Sequence, residues 1–286
     1  MPTSLQTIKN RRRRRRVQQH LKESIRVDPD RPVVLSEGDS WFCYPDHRNV
    51  VDHLDDVGNM SLLRLESNGD EVVEILAGKQ RAKLRRVLTK FPFDAILFSG
   101  GGNDIVGQDF EPLLVKQEGQ TDAASCIAHE RLAERLTLLR QVYVELVRLR
   151  DETHAAREEK HATGKPKPLI VTHGYDRPVP RDEGYKALGR TFAGPWMYGA
   201  LKRKKIPKAL WRDVAAFFID RFGDLQRGLA AQFDRFAFVE TAGTLRRSGS
   251  GWKNDWSDEI HPSDKGYQKV GEKLRERLRA EFPGYF

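Results

Sequence analysis

The sequence predicts an α/β fold built on a mainly parallel sheet, and three observations carry that expectation. Five short apolar runs, "PVVLSEG", "MSLLRLES", "FDAILFSGGG", "PLIVTHG" and "RFAFVETAG", are bounded by glycine or polar turns and read as strands buried on both faces. Helical stretches lie between them, the alternation that yields parallel strands. Strings rich in glycine, aspartate and asparagine follow the first and third runs, at the strand ends where open parallel sheets collect their chemistry.

The elements follow in order. Residues 1–30 read as a basic, flexible arm, and residues 31–286 as one domain. After "SNGDE" a helix is expected, with Val72, Val73, Leu76, Leu84, Val87 and Leu88 on its apolar face. Another covers about 130–152, where Leu132, Leu136, Leu139, Tyr143 and Leu146 keep helical spacing, followed by a polar exit "EEKHATGKPKP". A third follows "IPKALW" with Leu210, Val214, Phe217, Phe218, Leu225 and Leu229. The last begins after "HPSD", Ser263 being a natural N-cap, with Tyr267, Val270, Leu274, Leu278 and Phe282 inward. Two connections, about 105–166 and 176–208, exceed ordinary strand-to-helix lengths and read as insertions. The second holds Phe192, Trp196, Met197 and Tyr198 in a Gly- and Pro-rich setting, equally a pocket wall or a loop anchored by aromatic packing.

Composition narrows the function classes. With 38% hydrophobic and 32% charged residues, the 286-residue chain suits a globular protein with a heavily solvated surface. Residues 1–30 hold nine Lys or Arg against three acids, a net +6 within a chain total of +9, so the rest is only mildly basic. The run Arg11–Arg16 suits phosphates of nucleic acid or an anionic lipid surface, with strong salt dependence, or else a solvated tail. "VQQHLKESIRVDPD" after it lacks the apolar stretch of an export signal, and no run approaches the ~18 apolar residues of a transmembrane helix. Two cysteines, Cys43 and Cys126, make no disulfide framework and no metal spacing. A cytoplasmic location is the plain expectation, with export by a route needing no cleavable signal left open.

Three strings carry chemistry: "GDS" (Gly38, Asp39, Ser40), "GGND" (Gly101, Gly102, Asn103, Asp104) and "DEIH" (Asp258, Glu259, Ile260, His261). Ser40 needs a base to take its proton as it attacks; His261 can be that base, with Asp258 orienting the ring. Asp255 and Glu259 compete for the acid role, behind Asp258 because of the D-x-x-H spacing. A developing oxyanion needs donors, and the N–H of Ser40, the N–H of Gly69 and the Asn103 amide are the candidates. Asp39 and Asp104 read as loop braces. His173 in "VTHGYD" reads as structural, although its strand end could line a site; His47, His53, His129, His154 and His161 have no comparable company.

These strings, in this order and over about residues 33–270, resemble the SGNH, or GDSL-type, hydrolases. The four named residues of that family would be Ser40, Gly69, Asn103 and His261, with Asp258 completing a triad and Ser40, Gly69 and Asn103 an oxyanion hole. Trp41 stands where the family name implies leucine, and Val72 where the second motif would carry a further glycine. The resemblance implies a flavodoxin-like three-layer α/β/α sandwich with a central parallel sheet of about five strands. It also implies an esterase, lipase, lysophospholipase or carbohydrate deacetylase, working without metal or cofactor. Trp41, Phe42 and Tyr44, with Trp196 and Tyr198, would suit an apolar acyl chain; the same rings could stack on an acetylated sugar. The non-enzymatic alternative is a scaffold that binds nucleic acid or an acidic partner through Arg11–Arg16.

Overall fold

The computed structural model describes residues 17–286 except 68, 70, 117, 118, 188 and 189. Arg11–Arg16, and with them the expected contacts to nucleic acid or anionic lipid, lie outside the described residues. In chain order, α1 (residues 17–27) leads into β1 (Val33–Gly38), α2 (Val50–Val57), β2 (Ser61–Arg64), α3 (Val72–Ile75), α4 (Gly78–Lys90) and β3 (Ala95–Ser99). Next come α5 (Gly102–Val106), α6 (His129–His161), β4 (Leu169–His173), the pair β5 (Tyr185–Ala187) and β6 (Arg190–Ala193), and α7 (Tyr198–Arg203). The chain closes with α8 (Trp211–Gln232), β7 (Phe236–Val239) and α9 (Asp264–Glu281).

The five expected strands form one parallel sheet in the order β2-β1-β3-β4-β7, and β5 pairs antiparallel with β6 apart from it. Every residue of β1, β3 and β4 is buried, which is why their sequences run apolar without alternation. Right-handed crossovers put α2 on one face and α4, α6 and α8 on the other. Accordingly α2 packs on α9, while α4, α6 and α8 pack in succession. The result is the three-layer sandwich. Arg150, buried within α6, donates to the carbonyls of Pro168, Asp234 and Arg235 and so ties the starts of β4 and β7 to that helix.

Several elements differ from the sequence reading. The basic segment is not a loose arm throughout: α1 buries Leu21 in the core, and Ser24 Oγ lies 2.7 Å from Ser61 Oγ of β2. The helix expected after "SNGDE" is two, because Ala77 turns to extended backbone and Gly78 takes φ +47°. The helix expected over 130–152 continues to His161, taking in the start of the "EEKHATGKPKP" exit. α2 was not expected, although "NVVD" carries its signal: Asn49 accepts the N–H groups of Val51 and Asp52, and Asp52 accepts that of Asn49.

One glycine controls how β1 ends. Gly38 pairs with Ser99 of β3 at φ +151°, and a Cβ there would stand 2.3 Å from the Ser99 carbonyl oxygen. Gly38→Ala is therefore expected to cost about 3 kcal/mol or more, read as a fall in the urea midpoint; an unchanged midpoint would mean that the two strands part freely there.

Candidate active site

β1 delivers its last residues into a turn that the neighbouring strand ends hold. The Asp39 N–H donates to the Ser99 carbonyl at 3.0 Å. The Asp39 carboxylate accepts from the Trp41 N–H (3.0 Å), Ser99 Oγ (2.8 Å) and the Tyr175 hydroxyl. Burial pushes Asp39 above the usual carboxylate range, against the pull of those three donors. Asp39 is thus a loop brace, as expected, and it leaves Ser40 at the C-terminal edge of the sheet. Asp104 is also a brace, accepting the Val72 N–H at 3.1 Å. Tyr143 of α6 donates to the Gly100 carbonyl at 2.7 Å and steadies the turn that carries Asn103.

The loop before α9 supplies the partner. It is clamped by a bridge between Trp256 and Pro262 and by Ser263 Oγ, which accepts the Gly266 N–H and caps the helix. His261 Nε2 lies 2.8 Å from Ser40 Oγ. Its Nδ1 lies 2.9 and 2.8 Å from Asp258 Oδ1 and Oδ2. Ser40, His261 and Asp258, separated by 221 residues at the widest step, form one hydrogen-bonded chain that is 3%, 4% and 2% exposed. Burial raises Asp258, but the His261 charge and the N–H groups of Ile260 and His261 outweigh it and hold the carboxyl below its usual range. A serine bonded to an imidazole whose other nitrogen rests on an ionised carboxylate can pass its proton as it attacks a carbonyl.

The competing acids are occupied elsewhere. Asp255 accepts from Lys269 at 2.7 and 2.8 Å and from Arg246; burial raises it, but these partners pull it down to about 2. Glu259 faces away from the histidine, onto backbone N–H groups of residues 181 and 196–198. Among the described residues no group of three or more His, Cys, Asp or Glu is arranged to hold a metal ion.

Beside Ser40 lies a cavity of about 20 Å³ walled by Trp41, Asn103, Val106, Tyr175, Ile219 and Ile260. Of the residues expected to meet substrate, Trp41 lines it, and Trp196 sets its ring against His261 at 5.1 Å. Phe42 does not: it is fully buried in the core, against the His173 ring. Tyr198 packs edge-on against Trp211 and is not part of the cavity wall. Gly69 is exposed with φ +82° and does not line the cavity. His173 is structural: burial takes it down to about 3, and it lies 3.0 Å from Ser99 Oγ.

Two contributors escaped the sequence reading. Tyr175, from the same "VTHGYD" string as His173, reaches the cavity together with Asp176. Tyr44 donates to Asp258 Oδ2 at 3.1 Å, a role that its place in an aromatic run beside the serine does not disclose.

No family model matches the sequence, and no curated protein matches it. Solved structures do match in fold. A candidate SGNH hydrolase from Slackia heliotrinireducens superposes with a TM-score of 0.54 at 13% identity, over 87% of this chain and 99% of that one. An extracellular lipase from Streptomyces rimosus gives 0.50 at 15% identity, over 86% and 99%. The chain has the fold of these proteins, in line with the resemblance read from its motifs.

The buried carboxylates make stability depend on pH. Burial pushes Asp104 up to about 6 from an ordinary 3.8. The folded chain therefore keeps a proton that the unfolded chain releases, and this contribution is lost as pH rises between those two values. In thermal melts, Asp104→Asn is expected to flatten the decline of Tm across that window; an unaltered slope would assign the decline to other groups.

Proposed function

We propose that the protein is a serine hydrolase of carboxylic esters, with Ser40 as nucleophile, His261 as general base and acid, and Asp258 as the residue that orients and charges-balances the imidazolium. The observation that carries this reading is the unbroken hydrogen-bonded chain from Ser40 Oγ through His261 to Asp258 at the C-terminal edge of a parallel sheet. Ser40 Oγ attacks the carbonyl as its proton passes to His261 Nε2. The tetrahedral oxyanion is held by the Ser40 N–H and the Asn103 amide, which borders the cavity; Gly69, the third donor implied by the family resemblance, lies outside the cavity wall and has no part in this reading. His261 then protonates the departing alcohol, and water, deprotonated by the same nitrogen, releases the acid from the acyl-enzyme. Residues 31–286 constitute the hydrolase domain in this reading.

The size of the cavity bears on the acyl group. About 20 Å³ is little more than the space of a single water molecule, so the recess does not enclose a long acyl chain, and a small acyl group such as acetyl demands the least beyond it. Phe42 and Tyr198, the rings that would have lined a lipid channel, are spent on packing. This favours a short-chain ester, such as an acetylated sugar, over an acyl lipid or phospholipid. Arg11–Arg16 have no part in this reading.

Hydrolysis of p-nitrophenyl esters from acetyl to palmitoyl tests both steps. Ser40→Ala and His261→Ala are each expected to lower kcat/KM by about 10⁴-fold or more, and acetyl is expected to be preferred. Turnover that survives Ser40→Ala would overturn the reaction; palmitoyl turned over as fast as acetyl would overturn the acyl size.

A further inference from the structure

Glu259 is the one titratable residue of the Asp258–His261 loop whose side chain the reaction leaves unused, and its surroundings are unusual. The side chain is fully buried. Each of the hydrogen bonds it accepts comes from a backbone N–H: Oε1 takes those of Tyr198 (2.7 Å) and Arg181 (3.3 Å), and Oε2 those of Met197 (2.8 Å) and Trp196. The Glu259 N–H in turn donates to the Glu183 carbonyl at 2.9 Å. All of these partners belong to the 176–208 insertion. A buried carboxylate is costly to keep unless its lone pairs are filled. Here burial lifts the group to about 7 while the backbone donors pull it down. A neutral amide could not replace it, because its NH₂ would face N–H donors instead of accepting from them.

The three consecutive N–H groups at 196–198 place the Trp196 ring edge-on to the His261 imidazole, at 5.1 Å and 78°. Tyr44 contacts the same imidazole at 4.8 Å. The ring that must hand a proton between Ser40 and an alcohol is therefore confined by two aromatics, one of them held through Glu259.

We propose that Glu259 is a positioning residue, a latch that fastens the 176–208 insertion to the histidine loop and thereby holds Trp196 against His261. The kinetic consequence rests on the reading of His261 as the general base; the latch itself does not. With the latch broken, the insertion loosens at 196–198, Trp196 moves off the imidazole, and the ring gains freedom to leave its bond to Ser40. A misplacement of that kind can cost about 10²-fold in rate, while the cavity for the acyl group, walled by other residues, keeps its affinity.

Glu259→Gln tests the latch in two ways. Amide hydrogen exchange at fixed pH is expected to speed up by about 10-fold or more at residues 196–198 and to stay unchanged in the sheet strands. With p-nitrophenyl acetate, and enzyme concentration set by active-site titration with a phosphonate ester, kcat is expected to fall by about 10- to 100-fold and KM to change by less than about 2-fold. Trp196→Ala should reproduce the kcat loss, and adding it to Glu259→Gln should cost little more. Unchanged exchange at 196–198 overturns the latch; full kcat in Trp196→Ala, or losses that simply add, overturn its action through Trp196. If Glu259→Gln does not fold, Glu259→Asp, whose shorter side chain withdraws the carboxylate from the same N–H groups, is read by the same exchange and kcat criteria. A wild-type protein without ester turnover would overturn the hydrolase reading, and exchange at 196–198 would still decide the latch.

Discussion

The buried Asp39 carboxylate is the constraint on which the geometry around Ser40 depends. It takes one donor from its own turn, the Trp41 N–H, and two from neighbouring strand ends, Ser99 at the end of β3 and Tyr175 after β4. A buried acid without a cation is tolerated only while such donors are in place. Each of the three is therefore fixed by the need to satisfy it, and the residue that follows Asp39 inherits that precision. His173 extends the network: burial keeps it neutral, its Nδ1 accepts the Tyr175 N–H, and its Nε2 is left to donate toward Ser99 Oγ.

Across the site, two consecutive carboxylates show how surroundings decide what an acid does. Asp258 faces an imidazole and is held below its usual range, so it stays charged beside a ring that must accept a proton. Glu259 faces only neutral backbone dipoles, and burial takes it up to about 7. The first is bonded to His261 and the second to the backbone of the 176–208 insertion. The surrounding loop is tied down by Asp255, bonded to Lys269 and Arg246, and by Ser263, which caps α9. Stiffness there matters because a general base must be within hydrogen-bond reach of its proton when the substrate is bound.

The 176–208 insertion is both of the things its composition left open. Tyr198 anchors it by packing on Trp211, while Trp196 reaches the imidazole. The cavity beside Ser40 is small, about 20 Å³.

Much of this was legible in the sequence. The five apolar runs specified five parallel strands, because strands buried on both faces need continuous apolar side chains, and the helix stripes specified which faces would cover them. The ordered strings around Ser40, Asn103 and His261 named the candidate groups, because residue type and position at strand ends constrain chemistry locally. The break at Ala77, the helix after Asn49 and the exit extended by α6 are local matters of capping and backbone geometry that periodicity reads poorly. Only the tertiary structure decided that Ser40 meets His261 across 221 residues, that Tyr175 and not His173 lines the cavity, that Phe42 is core, and that Glu259 grips a distant loop. The physical reason is one and the same: periodicity and motifs report on neighbours along the chain, whereas a hydrogen bond or a pocket wall depends on which side chains the packed layers bring together.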